Sequence, residues 1–367
     1  MRGFREVFDV VPDPRRSNSS HALPDILLIA FAALLCGAET CVDIAEFGEA
    51  KRDCLGQFLK LDHGTPSHDT FSRVFRTLDP PSFERAFQRF VSAFAATLER
   101  QGIAGPIIAI DGKSLRGAVD SARRTMPLHL VSAWAADHRL VLSQCRAHNR
   151  SEVTAAREII ALLDLTGCTV TADALHASRR TVSAIRARGG DYALIIKGNR
   201  GPLHAAIRDL LADPDAAQAA STSETAHGRY EERRAWVVPA PADWADRYGF
   251  EGLGAIVRID SLRRVKGEEQ TDTRYAILSR FLPPREALRV IRAHWTIENQ
   301  QHWLLDVAFG EDRIHTRSDH CAENLALLRR LALNLLQHDP RKLSIRAKIK
   351  RAGWDDHYLA TLLRQMR

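Results

Sequence analysis

The chain has 367 residues, 45% of them hydrophobic and 26% charged, with a net charge of +7. This excludes a disordered or fibrous chain and fits a folded protein of two or three domains, whose basic excess points weakly to nucleic acid. Six scattered cysteines with no CxxC pair exclude a disulfide framework or zinc knuckle and fit a reducing compartment, the cytoplasm.

Residues 1–100 read as helical. Leu23–Ala38 is an apolar helix opened by Pro24 and Asp25. Its core, Ile26–Ala38, is too short to span a bilayer, so no membrane is expected. Val42–Leu61 forms a second helical stretch. Pro66–Leu78 follows a Gly-Thr turn and reads either as a packing helix or as the reading helix of a helix-turn-helix, with packing favoured. Pro80–Pro81–Ser82 opens a further helix.

From residue 106 the period changes. Ile107–Ile110, Leu128–Ala135 and Leu140–Ala147 read as three strands, Ser151–Asp164 as a helix, Cys168–Ala172 as a strand, Ser178–Arg188 as a helix and Tyr192–Ile196 as a strand. That order is α/β. Residues 201–282 then form a β-rich insertion, with strands at Arg229–Val238, Gly254–Ser261 and Thr271–Ser279. Pro283–Pro284 opens a long helix over roughly Arg285–Phe309, and another spans about Ser318–Gln337. The tail Arg341–Arg351 carries six basic residues and no acid, as a backbone-tracking patch or a solvated helix face.

Three acids stand out. Asp111 ends the first strand, where an Asp-Gly turn is the plain alternative. Asp173 ends the fourth strand, where it could simply cap a helix. Glu298 falls within about 20° of the line through Ile291, Leu305 and Phe309 on a straight helix. A carboxylate on such a core-facing stripe needs a metal or an ion pair, for example with Arg116 or Arg292. The order of strand acid, strand acid and helix acid after an insertion is that of an RNase H-like core. Such a core would hold two divalent cations roughly 4 Å apart, Mg²⁺ or Mn²⁺ by the oxygen-rich donors.

Lys113, Arg116, His176, Lys197 and Asn199 lie past the expected strand ends, where ligands bind in open α/β sheets, and are candidate DNA-phosphate contacts. His294 and His302 flank Glu298, as phosphate or nucleophile contacts or as satisfied core residues. Their spacing around Glu298 also allows a transition-metal site, though without the HExxH spacing of metalloproteases.

The motifs DGKSLRGA (111–118), TADALHAS (171–178), YALIIKGN (192–199), HWTIEN (294–299) and HWLLDVAFGED (302–312), taken in order, resemble the ISAs1 family of insertion-sequence transposases, within the IS4-like DDE group. H-repeat-associated proteins share the pattern. The resemblance covers nearly the whole chain and implies an RNase H-like catalytic core (101–200 and 283–367), a β-rich insertion (201–282) and an all-helical N-terminal DNA-binding or association domain (1–100). It implies that Asp111, Asp173 and Glu298 are catalytic and ligate Mg²⁺, that the partner is double-stranded DNA, and that a homodimer pairs two element ends. Ser178 and Arg200 stand where many members carry Gln. His294 and Leu305 stand where the wider group carries Arg and Lys. These departures leave open a domesticated or inactive DNA-binding derivative.

Overall fold

The computed structural model describes residues 2–15, 19–95, 105–117, 127–212, 218–226, 228–313 and 319–365. Six helices come first: α1 (Arg2–Phe8), α2 (Leu23–Leu35), α3 (Cys41–Ala50), α4 (Arg52–Leu55), α5 (His68–Thr77) and α6 (Pro80–Ala95). Eleven of the thirteen residues of α2 are buried, so this helix is a core element and not a membrane segment. Thr40 and Asp43 close a capping box on α3, and Ser67 caps α5. Phe71, Val74 and Phe75 of α5 are buried, which favours the packing-helix reading. Among the described residues no helix is long and apolar enough to cross a membrane.

These helices share one hydrophobic core with the last three, α13 (Cys321–His338), α14 (Ile345–Trp354) and α15 (Asp356–Arg364). Fourteen of the eighteen residues of α13 are buried, making it the central rod. The expected boundary at 100/101 lies outside the described residues. In the basic tail Lys342, Arg346, Lys350 and Arg351 are exposed, but two of its cations are engaged within the fold. Lys348 is buried and its Nζ donates to the carbonyls of Leu336 (2.8 Å) and Asp339 (2.7 Å), while Arg341 lies over the Tyr358 ring.

Among the described residues nine strands form one mixed sheet in the order β3-β2-β1-β4-β5-β9-β8-β7-β6. The strands are β1 (Ile107–Leu115), β2 (Leu128–Ala135), β3 (Leu140–Arg146), β4 (Thr169–Ala172), β5 (Asp191–Ile196), β6 (Gln218–Ala226), β7 (Arg229–Pro239), β8 (Ala255–Val265) and β9 (Glu268–Leu278). β1–β3 are antiparallel. β1, β4 and β5 are parallel, joined through α7 (Glu152–Leu162) and α8 (Arg179–Ala187), as crossover connections require. Beyond β5 the sheet continues through β9, with Ala193 opposite Leu278 and Ile196 opposite Tyr275.

The segment expected as an insertion (201–282) is therefore hydrogen-bonded into the same sheet. It also has a fourth strand, β6, that its polar sequence does not announce. The inner ends of β7–β9 (Ala235, Val257, Ala276) are buried under α11 (Pro284–Ala293). The outer ends form a ribbon with ion pairs such as Arg264–Glu269 at 2.7 Å.

Glu84 fastens α6 to the sheet. Its Oε1 accepts from the Gln144 N–H (3.0 Å), Ser143 Oγ (2.8 Å) and Gln88 Nε2 (3.2 Å), while Oε2 has no partner. Burial pushes this carboxyl up to about 7, outweighing those hydrogen bonds. The unfolded group titrates near 4.5, so the native chain holds an extra proton between the two values. Its stabilising contribution is full below 4.5 and lost as pH rises through 7. Glu84→Gln is expected to flatten the fall in Tm between pH 5 and 8; an unchanged fall in a thermal melt series would exclude this role.

Candidate active site

β1 runs past the end expected for it. Its parallel pairing with β4 stops at Ile110–Ala172, but its antiparallel pairing with β2 continues to Leu115–Leu128. Asp111 thus lies inside the strand, opposite Ser132, at the point where β4 falls away. Asp173 follows the last paired residue of β4. It does not cap α8, which Ser178 caps. Instead Asp173 Oδ1 accepts the Leu175 N–H at 2.9 Å and sets the turn through residues 174–176.

Glu298 departs from the expected geometry. The helix is not continuous: α11 ends at Ala293, one π-helical turn spans Ile297–His302, and α12 (Trp303–Phe309) follows. The wide turn shifts the phase, so Ile297 and Gln301 face the core and Glu298 is exposed. It needs no ion pair to pay for burial. Of the partners considered, Arg292 pairs with Glu224 and Arg116 faces Asp312. Trp134 Nε1 donates to Thr296 Oγ1 at 3.0 Å and ties β2 to the start of the turn.

The acids converge electrostatically on Asp111. Burial lifts its carboxyl to about 7; a backbone hydrogen bond from Gly112 opposes this, and Glu152, Glu298 and Asp173 add repulsion. Glu152, the first residue of α7, was not legible as a site residue. It bridges two histidines, with Oε2 2.8 Å from His129 Nε2 and Oε1 2.9 Å from His176 Nε2. Burial works to raise its carboxyl, but these hydrogen bonds outweigh it and hold it down at about 2. The bridge crosses directly over Gly112, where a Cβ would lie 2.5 Å from His129 Nε2 and 2.6 Å from the Glu152 carboxylate.

The seven expected DNA contacts divide by burial. Arg116, Lys197 and Asn199 are exposed, and Asn199 Nδ2 also donates to the Ala174 carbonyl at 2.7 Å, steadying the turn after Asp173. Lys113, His176 and His294 are corrections: all three are buried and present no surface to a phosphate. Lys113 lies within β1, not beyond it, and its Nζ binds Asp306 Oδ1 (2.6 Å) and Asp312 Oδ1 (3.3 Å). That clasp joins the strand of Asp111 to α12 and to the turn Glu311–Arg313. Burial lowers His294 to about 4. His302 is nearly buried, with Nδ1 3.7 Å from Asp111 Oδ2, and burial, with Arg330 and Lys113 nearby, lowers it to about 3. It is a neutral imidazole beside the acid.

Behind His302 lies a second unanticipated pair, Arg330 of α13 and Glu311, joined at 2.8 Å with neither side chain exposed. Leu305 is wholly buried, so that departure from the wider group is a packing position. The transition-metal arrangement fails because His294 is buried while Glu298 is exposed. Among the described residues no group of three or more His, Cys, Asp or Glu side chains closes into a metal cluster. Asp111, Asp173 and Glu298 nevertheless supply hard oxygen donors, with the latter two repelling the Asp111 carboxylate, a donor set that suits Mg²⁺ or Mn²⁺.

Residues 103–335 match the family described as "Transposase DDE domain", and residues 5–91 match "DDE_Tnp_1-associated". The chain is 33% identical over 376 residues to the "H repeat-associated putative transposase YhhI" of Escherichia coli (strain K12), covering 99% of this chain and 98% of that one. It is 32% identical over 374 residues to the "Putative transposase YncI" of Escherichia coli O157:H7, covering 99% and 95%. An "Uncharacterized protein in dhlA 3'region" of Xanthobacter autotrophicus is 39% identical over 285 residues, covering 76% and 94%.

Proposed function

Because the chain belongs to the DDE transposase family, we propose that it cuts the ends of an insertion sequence of the ISAs1 kind and joins them to target DNA. Water attacks a phosphodiester at each element end, the P–O3′ bond breaks, and a 3′ hydroxyl and a 5′ phosphate are released. That hydroxyl then attacks a target phosphodiester; a new 3′–5′ ester forms and the target's own 3′ oxygen leaves.

Asp111, Asp173 and Glu298 would hold a pair of divalent cations, Mg²⁺ or Mn²⁺. When bound, these supply activation of the attacking oxygen and charge neutralisation at the leaving one. The chain's other residues do the positioning. The Lys113 clasp fixes α12 against β1, and Glu152, between His129 and His176, fixes β2 against the turn after Asp173. An RNase H-like core would comprise residues 101–200 and 283–367, with 201–282 as the β-rich insertion and 1–100 serving DNA binding or association. A homodimer would pair the two ends.

The observation that carries this reading is that Asp111 and Asp173 directly follow Ile110 and Ala172, the last paired residues of two adjacent parallel strands, with Glu298 close enough to act on the same carboxylate. The test is strand cleavage of a duplex made from the DNA on either side of the gene, including any inverted repeats found there. Cutting that needs Mg²⁺ and stops with chelator is expected; DNA that is bound but uncut at every Mg²⁺ concentration overturns the reading.

A further inference from the structure

The surface beyond Asp173 holds a feature that the acid site does not use. An open groove of about 850 Å³ lies between the start of α8, one side of α9 (Gly201–Leu210) and the short helix α10 (Trp244–Tyr248). Arg179, Arg180, Arg200 and Arg247 line it, against one acid, Asp209. That acid is paired with Arg208, and among the described residues none of the four arginines is in an ion pair. This contrasts with the ribbon of β7–β9, where Arg229, Arg264 and Arg274 each face a carboxylate.

The groove is also built. Arg200 Nε donates to the Ala177 carbonyl at 2.6 Å, and Arg179 Nε to the Tyr248 carbonyl at 3.3 Å. Arg179 lies over Gly249, where a Cβ would come within 1.9 Å of its Nε. Arg247 stacks on the Tyr248 ring at 5.3 Å. Ser178 and Arg200, two of the residues singled out in the sequence as departures, both belong to its wall.

We propose that this groove is a track for the phosphate backbone of double-stranded DNA, carrying the duplex away from the scissile phosphate on the Asp173 side. The inference rests on the transposase reading and deepens it. Guanidinium groups fixed through backbone carbonyls and an aromatic ring keep their remaining donors for phosphate oxygens, and their charge is not cancelled within the protein. The connection to the acid site is short: Arg200 hydrogen-bonds the carbonyl of Ala177, four residues along the chain from Asp173.

The test is fluorescence anisotropy of the full chain with a linear mixed-sequence duplex, titrated across a series of salt concentrations. Arg180→Ala/Arg247→Ala removes two groove charges and spares the seated Arg179 and Arg200. Binding is expected to weaken about tenfold or more, and the slope of log K against log salt to become shallower by about 2, with Tm unchanged. The reference variant is Arg229→Ala/Arg264→Ala, which removes two paired arginines from the ribbon. A parent that binds, with the groove variant keeping its slope or losing no more than the ribbon variant, overturns the groove and leaves the transposase reading standing. A parent that binds no DNA overturns both.

Discussion

Asp111→Asn is expected to cut strand cleavage by on the order of 10³-fold or more while raising the Tm of the metal-free protein at pH 8. The two effects have one cause. The carboxyl is largely shielded from solvent and feels the charges of Glu152, Glu298 and Asp173, and its native value of about 7 stands far above the unfolded 3.8. Its contribution to stability is full below 3.8 and lost as pH rises through 7, so above that the ionised group opposes folding. An amide removes the opposition together with the metal ligand. Mg²⁺ should then raise the Tm of the parent and leave the variant nearly unmoved, since only an ion that binds the native state stabilises it. A variant that cuts as fast as the parent, or one whose Tm falls at pH 8, would remove Asp111 from the centre of the site.

The second large effect concerns stability. Arg330→Met is expected to lower unfolding free energy by about 3–5 kcal/mol, because it leaves Glu311 charged, buried and unpaired. Glu311→Gln should cost a similar amount by stranding the guanidinium. The double variant should recover much of the loss, since a buried pair replaced as a unit removes both desolvation penalties. Denaturant unfolding of the two single variants and the double measures the coupling. Strictly additive losses would show that the pair does not act as a unit. Arg330 acts on His302, which stands against Asp111, so the single variants should also lose cleavage at temperatures where they remain folded.

Much of the fold was legible because its strands carry their own pattern. Leu128–Ala135 was bounded as it occurs, and α7, β4, α8 and β5 lie within a residue or two of their expected limits. β6 was not legible. QAASTSETA has no bulky apolar alternation, and its extended form depends on pairing along β7 from Gln218–Val237 to Ala226–Arg229. The continuation of β1 through Asp111–Leu115 is likewise provided by β2, since the segment itself is polar.

At the site, Asp111 and Asp173 were visible as acids that close apolar runs. The sequence argument for Glu298 does not hold in the structure. A straight 3.6-residue period puts it on the buried line, whereas the π-turn delivers Gln301 there. Lys113 read as a loop charge because its carboxylates lie 193 and 199 residues away in sequence. Glu152 was missed for the same reason, its two histidines being 23 and 24 residues away, on β2 and in the turn after β4.

β4 is only four residues long, yet it is gripped on both sides, with Thr169 set against Ile107 on one neighbour and against Asp191 on the other. Such a segment works as a ruler. Shortening or lengthening it by one residue would turn its last side chain to the opposite face of the sheet, and residue 173 would leave the company of residue 111. Within this stretch, changes of length are therefore less tolerable than most changes of side chain, and gaps in alignments of active copies should avoid it.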